Sequence, residues 1–346
     1  MAAETRELDI PDDVELAYEK LCDEGMTDGL PVIPPTADRV ARMIGGSPHA
    51  PDHVVAELPP RGGLATIEKI AANAVMAGCH PDYFPVIVTA VEAMAEPQFN
   101  LIGIQTTTNP VGPLVLLNGP IRQQIGINCG AGALGPGWRA NATIGRALRL
   151  ILINIGGAIP GEIDKAILGM PGKYSLCLGE LEESSPWEPF HVEKGYDLTQ
   201  STVTLISSQG TQSCAASYLE PEHIFAMLAD TMRIYGANSY TKGSGNPVVI
   251  FPPAHARILA DAGWTKQRIR ETLFERTMFV AADIPPRLLD TSHRQQIRNG
   301  MLCICRQPED IVIIVAGGAE LNHIGFLASF GNDMAMRPIP DWRSSK

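Results

Sequence analysis

The chain has 346 residues, of which 45% are hydrophobic and 19% charged, enough apolar material for one large or two medium globular domains at roughly 100–200 residues each, and too much for a disordered polymer. A formal net charge of −11, spread along the sequence, leaves no basic footprint for nucleic acid or for an anionic membrane face. No basic segment followed by an apolar one opens the chain, apolar runs such as residues 148–159 fall short of the ~20 residues a bilayer span needs, and an odd seven cysteines argue for reduced thiols, so a cytoplasmic protein is expected.

In chain order, ELAYEKLCDEG predicts an amphipathic helix stopped by Gly25, LPVIPP a short strand, and TADRVARMIGG a helix capped at Thr36 or Asp38. LATIEKIAANAVMAG and FPVIVTAVEAMA predict two helices joined by CHPDY. LIGIQTT and PLVLLNG then read as two β-type runs separated by a polar turn. A long apolar helix, TIGRALRLILINIGG, follows a glycine-rich loop. The second part repeats the theme, with a helix at EPEHIFAMLADTMRIYG, a strand at NPVVIFPP, and helices at AHARILADAG and TKQRIRETLFERT. Both parts set a strand headed by Asn-Pro before a proline, a short helix, a glycine and a helix starting at threonine, which suggests an internal duplication with a pseudo-twofold fold, although strand–Pro–helix also recurs by coincidence in α/β chains. The near-continuous apolar run in PEDIVIIVAGG suits a central strand covered on both faces. The expected fold is therefore α/β, with a mixed or parallel sheet sandwiched by helices. Its divisions are an N-terminal helical or extended arm (1–60), a first α/β half (61–170), a Trp- and Glu-rich insertion (171–200) and a second α/β half (201–346).

Neither C-x-x-C nor H-E-x-x-H occurs and the eight histidines are scattered, so no metal site is predicted, and no glycine motif or other signature indicates a cofactor. In sheets of this kind ligands gather beyond the carboxyl ends of strands, where helix N-termini favour anions. By that rule Thr107 and Asn109 in QTTTNPVG, Asn118 in LNGP, and Gly317, Gly318 and His323 in AGGAELNH become candidates, against the plainer reading of Asn-Pro and Asn-Gly as turn chemistry. The loop INCGAGALGPGWRAN has four glycines between 130 and 137, with Arg139 and Asn141 at the mouth of a helix, and suits either an anionic substrate group or a compact surface loop. Cys129 stands at its entrance. Cys79 and His80 lie between two helices, where a helix end and Arg139 would lower a thiol pKa, whereas a free cysteine is otherwise a small buried hydrophobe. Cys303 and Cys305 read as core. In the insertion, Glu182 and Glu183 are candidate acids or bases, or part of a solvated face. Trp187, held between prolines, reads as a pocket wall or the anchor of a homo-oligomer, most simply a dimer.

The runs RGGLATIEKIAANAVMAGCHPDYFPVIVTAVEAM, GPGWRANATIGRALRLILINIGGA, PGKYSLC and EESSPWEPFHVE resemble the UGSC family of bacterial proteins, over most of residues 60 to 320. Those proteins accompany, or are fused to, a small module carrying a selenocysteine or cysteine motif. The resemblance implies a common fold and thiol or selenol chemistry on a small molecule, with a small redox protein as partner. It carries over no catalytic residues. This chain ends at RPIPDWRSSK without that module, and its loop SSQGTQSCAAS departs from the family pattern. Three functions stay open: an enzyme using a cysteine thiol on an anionic or carbonyl-bearing substrate, a carboxylate-based lyase or hydrolase with structural cysteines, and a ligand-binding or scaffold subunit that needs a thiol partner.

Overall fold

The computed structural model describes residues 7–241, 245–289 and 296–342. Its first helices are α1 (Val14–Asp23), started by the Asp13 carboxylate accepting from the N–H groups of Glu15 and Leu16, and α2 (Ala37–Ile44). Strands β1 (Val54–Leu58) and β2 (Gly63–Thr66) pair as a hairpin that runs into α3 (Ile67–Ala77). Thr66 caps α3 through the Lys69 N–H, and Gly78, at φ 87°, ends it. Next come α4 (Phe84–Met94) and α5 (Leu101–Thr106). Leu21, Val40, Met43 and Leu58 join the same core as α3 and α4, so residues 1–60, as far as they are described, are packed body rather than a loose arm.

The first half continues with β3 (Gly112–Asn118), α6 (Ile121–Gln124), α7 (Arg139–Asn154), β4 (Cys177–Gly179), α8 (Phe190–Glu193), β5 (Thr202–Ser208) and β6 (Gln212–Ala215). The second comprises α9 (Pro221–Met232), α10 (Asn238–Thr241), β7 (Val248–Phe251), α11 (Pro253–Asp261), α12 (Lys266–Arg276), β8 (Phe279–Val280), α13 (Pro286–Leu289), β9 (Gln296–Arg298), β10 (Met301–Cys303), β11 (Val312–Val315), β12 (His323–Leu327) and β13 (Ala335–Pro338). One four-stranded sheet has the order β4-β3-β5-β13 and another the order β11-β7-β12-β6. In each, the first pair is parallel and the other two are antiparallel. The two sheets thus repeat one topology, strand–helices–parallel strand–antiparallel strand. Leu114 lies opposite Ile206 as Val248 lies opposite Leu327, which makes Pro113 and Pro247 equivalent. Where the halves meet, Ser208 bridges Ser329; Gln209 N–H donates to the Ala328 carbonyl and Phe330 N–H to the Ser207 carbonyl, a reciprocal pair that marks a local twofold. The last strand of each half crosses over: β6 follows β5 but pairs in the second sheet, and β13 follows β12 but pairs in the first.

Alternation of side chains sorts the core into layers. Leu114, Leu116, Leu178 and Ile206 of the first sheet cluster with Val248, Ile250, Ile314 and Leu327 of the second. The opposite faces, Val115, Leu117 and Leu205 on one side and Val249, Ile313 and Phe326 on the other, belong to two further clusters, with α3, α4 and α7 and with α9, α11 and α12 respectively. The architecture is helix/sheet/sheet/helix, with each large core side chain contributing about 1.5–3 kcal/mol by burial. The expected mixed sheet flanked by helices is present as two stacked mixed sheets. No helix among the described residues is long and apolar enough to cross a membrane.

Some elements differ from the sequence expectation. LIGIQTT forms α5, because Leu101, Ile104 and Gln105 are buried at helical spacing. LPVIPP contains no strand. Residues 171–200 are not a pure insertion, since they contain β4, and the division at 201 falls between β4 and β5 of one sheet.

Candidate functional site

Parallel pairing of β3 and β4 sets their carboxyl ends side by side, at Asn118-Gly119 and Gly179-Glu180. Gly119, at φ 79°, turns the chain where a Cβ would lie 2.1 Å from the Gln200 carbonyl. Just beyond, α6 brings in Arg122, which is 4% exposed. Its Nε donates to the Gly119 carbonyl at 3.0 Å, Nη1 to the Glu180 carbonyl, and Nη2 to Glu182 Oε2 at 2.7 Å and Glu183 Oε1 at 2.9 Å. Glu182 Oε1 accepts from the Gly119 N–H at 2.7 Å and from Asn118 Nδ2 at 3.0 Å, and lies 3.7 Å from His191 Nδ1. The same Asn118 amide donates to Glu180 Oε2, which also accepts from the Phe190 N–H. Lys266, at the start of α12, sits 3.8 Å from Glu180 Oε1 and 3.3 Å from Glu193. The chain of contacts thus runs from the half-exposed Glu183 inward to the fully buried Glu180 and His191.

Burial acts on the two innermost groups in opposite senses. It pushes the Glu180 carboxyl up, against the pull of Lys266, and pushes the His191 imidazole down, against the pull of Glu182. Hydrogen bonding to Arg122 holds the Glu183 carboxyl below its ordinary range. Several buried polar atoms here make no well-formed hydrogen bond: Asn118 Oδ1, Glu180 Oε1, both ring nitrogens of His191, and the hydroxyls of Thr202 and Thr204. Thr202 is directly opposite Asn118 in the β3–β5 pair, so their side chains share one face. An unpartnered buried polar atom costs about 1–3 kcal/mol, and Asn118, Glu180 and Thr202 stand together at strand ends. Glu180 and His191 are linked through Asn118 and Glu182, since the Asn118 amide donates to both carboxylates and Glu182 Oε1 lies by the imidazole.

Four of the residues singled out in the sequence meet here: Asn118, Cys129, Glu182 and Glu183. Cys129 Sγ lies 3.9 Å from Arg122 Nη1 and occupies space left by Gly179, whose Cβ would be 2.5 Å from the sulfur. Its backbone carbonyl accepts from the Gly317 N–H, and Gly130 bridges Gly317, so the glycine loop and AGGAELNH do come together. The expected lowering of the thiol pKa is reversed: burial raises Cys129 even though Arg122 pulls it down. The reversal is larger at Cys79, whose thiol donates to the Thr143 carbonyl and is pushed up to about 12 by burial. Arg139 spends its guanidinium on the Gly78 and Cys79 carbonyls at the end of α3, and the guanidinium beside Cys129 is that of Arg122. His80 caps the following turn, its Nδ1 accepting from the Asp82 N–H.

The remaining candidates lie elsewhere or are fully used. Asn141 accepts from the Asn128 N–H and donates to three carbonyls, of Asn128, Ala133 and Cys177, so it pins the glycine loop. Thr107 and Asn109 precede β3, at the opposite end of the strand from Asn118, and Asn109 Oδ1 accepts from Asn238 Nδ2. Trp187 donates from Nε1 to the Trp264 carbonyl and packs edge-on against Phe251, so it fastens 182–193 to the second half while staying partly exposed. Sequence reading passed over Arg122, Glu180, His191 and Lys266. Recognising CLG as a strand would have set Glu180 at its carboxyl end. Among the described residues, no group of three or more His, Cys, Asp or Glu side chains is placed to hold a metal ion. No protein-family model matches the chain, and no curated protein matches it.

Proposed function

We propose that the chain is an enzyme that moves protons on a small polar molecule at the carboxyl ends of β3 and β4. The observation that carries this reading is the buried, incompletely bonded group of Asn118, Glu180 and His191, with Glu180 and His191 displaced in opposite directions. In this reading Glu180 serves as acid and His191 as base, and Arg122 receives an anionic or carbonyl oxygen of the substrate. Glu183, half exposed, is the partner such an oxygen would replace on the guanidinium. This favours carboxylate chemistry over a cysteine nucleophile. The nearness of Cys129 to Arg122 supports a second reading, a thiol reaction of the kind the UGSC resemblance implies.

The test uses a panel of small carboxylic and carbonyl acids incubated in deuterium oxide, followed by NMR for consumption or for deuterium incorporation. Wild-type protein should act on at least one compound. Glu180→Gln and His191→Asn, checked for folding by thermal melting, should lower that rate about 10²–10⁴-fold, the usual worth of acid–base catalysis, while Cys129→Ser keeps it. Loss of activity in Cys129→Ser alone would transfer the chemistry to the thiol. Inertness of the wild type towards the whole panel would count against both readings.

A further inference from the structure

A small cavity lies at the amino ends of β3 and β4, at the opposite end of β3 from Asn118, and Gln105, Gly112, Gly145, Arg149, Lys173 and Leu176 are in its lining. A particle the size of a water molecule has about 10 Å³ in which to place its centre there, so the space suits one water or one monatomic ion. Gly145 lets α7 lie against residues 175 and 176, where a Cβ would fall 2.5 Å from Ser175 Oγ, and one turn further on the same face α7 presents Arg149. From α5 comes Gln105, 3% exposed, whose Oε1 has no hydrogen-bond partner. We infer that the cavity is a binding site for a monatomic anion of the halide class, chloride in the first place.

The charges around the cavity do not balance. Arg149 Nη2 and Lys173 Nζ both donate to Asp164 Oδ2, at 3.2 and 2.6 Å, and Asp164 Oδ1 accepts from the Ala166 N–H. One carboxylate thus serves two buried cations. Asp28, the other carboxylate that acts on Arg149, is committed to Arg146 through two hydrogen bonds of 2.8 Å. The lining itself carries no carboxylate, so one positive charge is in excess. Burial pushes both Arg149 and Lys173 down against the pull of Asp164, which leaves the pair short of negative charge. Among the described residues, Nε and Nη1 of Arg149 have no acceptor, and neither end of the Gln105 amide is bonded, so its NH2 group is free to turn towards an anion. A water in the cavity would satisfy the amide and leave the charge. An anion answers both, accepting from the amide and from the guanidinium.

The experiment records the chlorine NMR line width of sodium chloride with and without the full chain, sodium gluconate holding the ionic strength constant. The excess width should saturate, and bromide should displace it. Arg149→Gln should weaken binding about tenfold or more, the worth of one hydrogen bond to a charged group. Gln105→Glu keeps the size of the side chain and brings a carboxylate to the surplus charge, so it should abolish the bromide-sensitive width and raise the melting temperature measured in gluconate. A wild-type width that bromide does not reduce would overturn the inference and leave a water in the cavity. A width that both variants retain would overturn it by placing the ions on the surface. So would a Gln105→Glu chain that melts below the wild type in gluconate, because a buried carboxylate stabilises that position only where positive charge is in excess.

Discussion

In the first half, the parallel pair β3 and β4 runs out into Asn118 and Glu180; in the second, the matching positions after β7 and β11 are Pro252 and Ala316. Gly179 corresponds in the same way to Val315, and the glycine leaves the space that Cys129 Sγ fills. The apolar strand interiors are interchangeable in kind, so one topology serves twice. What differs is what each pair of strand ends carries. The second half supports the first: the Val315 carbonyl accepts from the Leu181 N–H, and Lys266 reaches across to Glu180. A repeated scaffold thus carries polar residues at one pair of parallel strand ends and Pro252 and Ala316 at the other, while Lys266 and Arg270 of the second half supply cations to Glu180 and Glu193.

Removing Arg122 should break this contrast most severely. Arg122→Met leaves the buried carboxylate of Glu182 without its partner and is expected to cost about 3–5 kcal/mol in urea denaturation. The triple change with Glu182→Gln and Glu183→Gln should recover most of it. Gly179→Ala, which moves the first half one step towards Val315, should cost about 1–3 kcal/mol by overpacking. Cys129→Ala in the same background should return part of that loss, because the sulfur is the nearest atom the new methyl meets.

Stability as a function of pH sharpens the comparison further. Burial raises Glu180 above its usual carboxylate value, so the folded state holds that proton longer than the unfolded one, and stability declines as pH rises above about 4.5. Glu180→Gln should remove that decline. Burial lowers both His191 and His255, one in each half, so stability is lost as pH falls below about 6.5. Replacing either histidine with Gln should flatten part of the acid limb, measurable by thermal melts between pH 5 and 8. The halves should differ least in thiol reactivity. Cys22 is half buried and the other six are buried, so iodoacetamide should label Cys22 first, with Cys79, Cys129 and Cys177 as slow as Cys214, Cys303 and Cys305. Labelling of Cys129 at the rate of Cys22 would revive the thiol reading.

The strands buried on both faces were legible because burial of that kind writes an unbroken apolar run, as in VIIV of β11. The repeat was legible too, since Pro113 and Pro247 stand at the same register. By contrast, β4 is three residues long, too short for any periodicity, and with it the position of Glu180 was hidden. Arg122 sits in a four-residue helix, and its partners lie about 60 residues away along the chain. Local reasoning placed Cys79 correctly at a helix end. It gave no sign that α7 would cover the thiol and supply the Thr143 carbonyl, so the desolvation that outweighs the helix terminus was invisible.

The crossing of β6 and β13 has a consequence for how the molecule holds together. A cut in the link between β6 and α9 would give two fragments, each carrying a strand whose partner is on the other and lacking the strand that closes its own sheet. Neither fragment would be complete alone, and mixing the two would supply both deficits at once. The chain is in effect a strand-exchanged dimer written on a single polypeptide. Loss of one sheet exposes an edge of the other, so both should melt in a single concerted transition, without a stage in which one half stands by itself.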